Sequence, residues 1–154
     1  MARMKIKGLD EYVSKLQKLS GGEAEKIMRH AVYEGAGYLA DQIRLSIQSL
    51  PTFEGSWKNY RKPIVGVSDV QKQGLLNGLG TSKIVNDSGF INVRIGFNGY
   101  NDHVTKHYPK GQPNALVARS VESGSSIGTK SPFIRPCVNT NKNAVVTILA
   151  EETD

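Results

Sequence analysis

EAEKIMRHAVYEGAGYLADQIRLSIQSL, residues Glu23 to Leu50, is the stretch that organises this chain. Ala24, Ile27, Met28, Ala31, Val32, Gly35, Leu39, Ile43, Ile47 and Leu50 recur at steps of three and four, which places them on one side of an α-helix. At 3.6 residues per turn the pattern predicts a helix of about seven turns. Glu23 and Glu25 suit the positive end of its dipole, and Pro51 marks its stop. Gly35 and Gly37 lie inside it, where each costs up to about 1 kcal/mol relative to alanine. That cost points to close packing of the helix on a sheet or a neighbouring helix.

The flanking segments read as shorter elements. Arg3-Met4-Lys5-Ile6-Lys7 alternates basic and apolar, the pattern of a strand with one buried face. After Gly8, the residues Leu9, Tyr12, Val13, Leu16 and Leu19 follow helical spacing. Pro63-Ile64-Val65-Gly66-Val67 suits a short strand, and Asp69 to Leu76 one or two helical turns capped by Ser68. Ser82–Val85 and Phe90–Phe97 read as strands joined by a four-residue loop, Asn86-Asp87-Ser88-Gly89. Period-two alternation puts Ile91, Val93, Ile95 and Phe97 on one face, with Asn92 and Arg94 on the other. Pro113 suits the first turn of a helix that Gly124 is placed to end as a left-handed residue. A last helix runs from about Pro136 to Glu152, with Asn139, Asn141 and Asn143 weakening its first half.

The elements add up to an α+β fold: a small antiparallel sheet of three or four strands packed against one long N-terminal helix plus shorter helices. Residues 1–154 suit a single domain, with long flexible loops at about 51–63 and 98–112. An apolar fraction of 38%, 7% aromatics and 16 glycines point to a modest core and much loop or partner-dependent surface. One cysteine, Cys137, excludes an internal disulfide and reads as a small buried hydrophobe. No window carries the roughly 18 apolar residues of a membrane span, and the N-terminus lacks the apolar core of a signal peptide. The net charge of +6 and pI near 9.5 favour acidic partners, DNA among them.

Two loops combine aromatic and cationic residues. One is Trp57-Lys58-Asn59-Tyr60-Arg61-Lys62, the other His103-Val104-Thr105-Lys106-His107-Tyr108-Pro109-Lys110. Such mixtures suit a protein interface, where aromatics and Arg carry most binding energy, a nucleic acid backbone, or a plain solvated loop. His103 and His107 stand four apart with Asp102 beside them, but no Glu follows His103 as a metalloprotease pattern requires, so no metal site is expected. There is no nucleophile elbow, phosphate loop or dinucleotide fingerprint, so neither catalysis nor a cofactor is expected. Arg119 and Glu122, three apart on one helix, can pair across a turn. Arg135 can cap a carbonyl, pair with an acid or face a neighbouring subunit.

Taken in order, Met4-Lys5-Ile6-Lys7-Gly8-Leu9-Asp10-Glu11-Tyr12, Gly74-Leu75-Leu76-Asn77-Gly78-Leu79-Gly80, Val93-Arg94-Ile95-Gly96-Phe97, Gln112 to Gly124, and Ser131-Pro132-Phe133-Ile134-Arg135-Pro136-Cys137-Val138 form a set. It resembles the tail-component or tail-completion family of long-tailed, lambdoid HK-type phages. The likeness covers most of the chain and leaves out residues 51–63 and 100–111. It implies a non-catalytic virion protein, assembled in the host cytoplasm, that forms a ring at the neck between head connector and tail tube. The six-fold tail makes a hexamer the expected ring. Its partners would be further copies of itself, the tail tube or tail terminator protein, the head connector, and passing double-stranded DNA without sequence preference. A tail terminator capping the tube is the neighbouring reading. A free-standing basic nucleic-acid-binding domain is the alternative outside the virion, and a metal hydrolase using His103 and His107 is a third. The expected interface residues are Trp57, Lys58, Tyr60, Arg61, Lys62, Lys106, His107, Tyr108, Lys110, Phe133, Ile134 and Arg135.

Overall fold

The structure is a computed structural model and describes residues 21–53, 64–125 and 128–153. The expected first strand and first helix, over residues 3–19, lie outside them. The elements are α1 (Gly21–Gln48), β1 (Ile64–Val65), α2 (Asp69–Gly78), β2 (Leu79–Thr81), β3 (Val85–Asp87), β4 (Phe90–Asn92), β5 (Ile95–Phe97), α3 (Asn114–Ser123), β6 (Gly128–Thr129) and α4 (Ile134–Thr153). The fold is α+β.

The core lies where α1 meets α4. Ala31, Leu39, Ile43 and Ile47 of α1 are buried together with Val145 and Leu149 of α4. The two helices run antiparallel. His30, near the start of α1, meets Glu152, near the end of α4, at 2.9 Å. Tyr38 donates its hydroxyl to Asn141 Oδ1 at 3.1 Å. Gly35 sits in this seam as expected, and a Cβ there would lie 3.4 Å from Val145 Cγ1. Gly37 does not, because a Cβ at that position meets open space.

The helix ends are tied to one another. Ser68 accepts from the Gln71 N–H and Gln71 Oε1 accepts from the Ser68 N–H, a reciprocal capping box that starts α2. Lys72 then reaches back to the carbonyls of Gln48 and Leu50 at 2.7 and 3.1 Å, a cation at the negative end of α1. Arg44 of α1 returns the favour by donating to the Leu76 carbonyl of α2 at 3.1 Å.

The strands differ from a single sheet. β2 pairs antiparallel with β5, and β3 with β4, while β1 and β6 form a separate parallel pair. The two antiparallel pairs are successive parts of one hairpin. Thr81 faces Ile95 and Val85 faces Asn92, so residues 82–84 oppose residues 93–94. One extra residue on the first strand is a bulge, and it divides the ladder. The turn is also tighter than expected. Asn86 and Asp87 belong to β3, and the loop is Ser88-Gly89 alone. Both have positive φ (54° and 91°), as a primed two-residue turn requires to match strand twist. Leu79–Thr81, which overlaps the end of the Gly74-to-Gly80 segment, is a strand that periodicity does not announce.

At the other end of the chain, Glu122 takes a role that residue spacing does not reveal. Its Oε2 accepts the N–H groups of Phe133 and Ile134 at 2.8 and 2.9 Å, and its Oε1 accepts that of Arg135 at 2.9 Å. The next residue, Pro136, has no N–H. One carboxylate and one proline thus account for the four amides that open α4. The expected pairing of Glu122 with Arg119 gives way to this cap. The proline also sits comfortably in the first turn, so α4 begins two residues before the expected Pro136. Gly124 ends α3 with φ 82° but ψ 166°, an extended exit and not the left-handed helical one.

Candidate functional site

Residues 98–112 contain no helix or strand, and hydrogen bonds anchor their base, so we call them the finger. The base is a short ladder. Tyr100 bridges to Pro113, Asn101 donates to the Gln112 carbonyl at 2.9 Å, and Asn114 donates to the Gly99 carbonyl at 3.0 Å. Asn101 is the pivot. Its Oδ1 accepts from the backbone N–H groups of His103 (2.9 Å) and Gln112 (3.1 Å), and its Nδ2 donates to Gln112 Oε1 (3.3 Å). Gln112 Oε1 also accepts from Gln71 Nε2 at 3.0 Å, which ties the finger to the capping box of α2. Asn101, Gln112 and Asn114 are all buried. The paired amides of Asn101 and Gln112 favour this geometry, because a slip leaves them unpaired in a low-dielectric setting.

The glycines of α2 make room for this network. A Cβ at Gly74 would lie 2.5 Å from Asn114 Oδ1 and 2.6 Å from Asn101 Cβ, and one at Gly78 would strike the Asn98 carbonyl oxygen. Gly74 and Gly78 are one helical turn apart, so they form a flat notch into which the asparagines pack. Asn114 donates to the Asn98 carbonyl at 2.9 Å, and its Oδ1 is a buried side-chain oxygen without a hydrogen-bond partner. Gly111 has φ +98°, and a Cβ there would collide with the Asn101 carbonyl oxygen. The far end closes on itself, with Thr105 and Tyr108 exchanging backbone bonds at 3.1 Å each way.

This frame presents an outward face. Tyr100 and Val104 are 63% and 65% exposed, and Lys106, His107 and Lys110 are exposed beside them. Tyr108 is half-buried and serves the finger's own closure through its backbone. His103 and His107 lie in the finger, not on a helix, so their spacing of four gives them no common face. Among the described residues no three His, Cys, Asp or Glu side chains stand together as a metal set.

The remaining expected interface residues divide. Trp57, Lys58, Tyr60, Arg61 and Lys62 lie outside the described residues. Phe133 is only 4% exposed and packs edge-on against Phe97, ring centroids 6.1 Å apart, so it is a core residue and is withdrawn from the interface set. Its aromatic ring between two prolines looked presentable, but the Glu122 cap turns it inward. Ile134 is half-buried and Arg135 is exposed. Cys137 is buried, with Asn141 Nδ2 3.7 Å from its Sγ. Tyr100, Val104 and the Asn101–Gln112–Asn114 network were missed by sequence reading. The pair of glycines at helical spacing, Gly74 and Gly78, was the available signal.

A second feature is an apolar cleft of about 370 Å³. It is lined by Val32, Gly35 and Leu39 of α1, by Ala115, Ala118 and the charged Arg119 and Glu122 of α3, by Val145 and Leu149 of α4, and by residues 91–93 and 95–97 of the hairpin. Among the described residues no helix is long and apolar enough to cross a membrane. Comparison with protein-family models, with curated proteins and with solved structures finds no match for this chain.

Proposed function

We propose that this chain is a non-catalytic structural component of a phage virion, a tail-completion or neck protein that closes into a homo-oligomeric ring between tail tube and head connector. The observation that carries the reading is the finger. A loop anchored at its base by buried amides and bearing exposed Tyr100, Val104, Lys106 and His107 suits contact with a partner. Preorganised loops spend less entropy on docking, which suits a surface that must meet another ring in one register. The ordered set of motifs that resembles the tail-completion family supports the same reading. The six-fold symmetry of such tails makes a hexamer the ring to test for, built from heterologous contacts that close. Basic side chains on the finger, Lys106 and Lys110, tolerate passing double-stranded DNA without reading its sequence.

The test is solution mass by light scattering, with and without purified tail tubes, followed by imaging of the complex. A ring at one end of the tube is the expected result. Its position relative to the head connector separates completion protein from tail terminator. A persistent monomer that ignores tubes but binds DNA with a steep salt slope would replace this reading with a nucleic-acid-binding domain.

A further inference from the structure

The outer face of α1, opposite its buried seam, carries an exposed patch of mixed character. Tyr33 and Leu45 are each more than half exposed, and Glu34 and Asp41 are exposed between them. Helical steps of three and four set Glu34, Gly37, Asp41 and Leu45 in one stripe, with Tyr33 on its flank. The two carboxylates stand roughly 10 Å apart along the helix axis. Neither has a cation of its own among the described residues, whose ion pairs are Glu25 with Arg29 and His30 with Glu152. Arg44, three residues after Asp41, is turned to the Leu76 carbonyl instead. Unpaired acids at this spacing stand out in a chain of net charge +6.

Gly37 lies in the middle of the stripe. Glycine inside a helix costs roughly 0.5–1 kcal/mol relative to alanine. Gly35 is explained by its close contact with Val145, whereas a Cβ at Gly37 would meet open space. The room at Gly37 is therefore unused by any described part of the subunit, and it leaves bare backbone on which a flat ring can lie.

The finger has the complementary chemistry. Tyr100 and Val104 are its exposed apolar side chains, and Lys106 and Lys110 outnumber its one acid, Asp102. Neither lysine takes part in an ion pair of the described residues. The finger's base is tied to α2 and to the start of α3, so finger and patch are separate surfaces of one molecule. Contact between two different surfaces of identical chains is heterologous, the kind that closes into rings or runs on as filaments.

We propose that the finger of one copy docks on the outer face of α1 of the next, with Tyr100 seated over Gly37 between Tyr33 and Leu45, and with Lys106 and Lys110 facing Glu34 and Asp41. The aromatic centre supplies the buried area, and the charges around it fix partner and register. The inference rests on the homo-oligomeric reading above and names the two surfaces through which copies meet.

Charge reversal in the full chain tests it, with self-association followed by sedimentation and light scattering. One variant carries Glu34→Lys with Asp41→Lys, the other Lys106→Glu with Lys110→Glu. Each alone should associate on the order of tenfold or more weakly than the parent, because like charges then meet. Mixed in equal amounts the two should assemble again, since each finger then finds an opposite charge on the other variant. Should a reversed pair unfold, Gly37→Gln leaves every charge in place and suits a helix better than glycine. It should weaken association by a similar factor, and parent-like association of that variant overturns the proposal. If the parent associates and both reversed variants match it, or if the mixture stays apart, the contact is overturned while the ring reading stands. A parent that associates through these charges yet forms no ring on tail tubes keeps the contact and removes the ring reading. A parent that stays monomeric at every concentration, with or without tubes, overturns both.

Discussion

Two seams hold this molecule together, and they obey different rules. The α1–α4 seam is apolar, with Ala31, Gly35, Leu39, Val145 and Leu149 meeting through dispersion and water exclusion. The seam between α2, the finger and the start of α3 is polar, with Asn101, Gln112 and Asn114 packed into the Gly74–Gly78 notch. Apolar packing has no directional requirement, so it yields by tenths of an ångström at modest cost. The polar seam must satisfy angles and distances together, and it has backbone on both sides of the notch. The first seam gives bulk stability, and the second gives the finger its single shape.

That contrast can be broken most severely at Gly111. Gly111→Ala forces a side chain into a left-handed backbone and onto the Asn101 carbonyl, and should cost about 3 kcal/mol or more in a urea titration. A variant as stable as the parent would show that the finger base is soft. Next comes Gly74→Ala, expected to cost roughly 1–3 kcal/mol and to release the Gln112 amide to solvent exchange before α1 loosens. Glu122→Ala strips the cap from α4 and should cost about 1–2 kcal/mol, with Glu122→Gln recovering part of the loss. At the small end lie the glycines of α1. Gly37→Ala, with open space around it, should stabilise by roughly 0.5–1 kcal/mol in thermal melts. Gly35→Ala gains the same propensity against a 3.4 Å contact with Val145 and should fall near zero. Equal gains at both positions would mean that the apolar seam has more slack than the distances indicate.

The helices were legible because their signals are local. The three-and-four spacing from Ala24 to Leu50, the Ser68–Gln71 box and the Pro113 to Gly124 frame each act within a few residues of chain. The hairpin was legible as alternation, but its bulge and two-residue turn were not. A register depends on which residues of the two strands finally pair, and Ser82–Ile84 carry no mark of the extra residue. The finger was the opposite case. Its composition suggested a mobile loop, since polar residues 98–112 show no periodicity. Asn101 and Gln112 become structural only when eleven residues of chain return to bring them together.

What the sequence by itself determined is the α+β class, the dominance of one long helix, the capped start of α2 and the amphipathic logic of the strand over residues 90–97. These follow from periodicity and capping chemistry, which operate over one or two turns. Tertiary structure alone decided that Glu122 caps α4, that Phe133 turns inward, that Gly74 and Gly78 form a notch, and that the finger is anchored. Each of these joins segments far apart in the chain, and burial gives such contacts their strength: an amide or carboxylate that is indifferent in water must find its partner once water is gone.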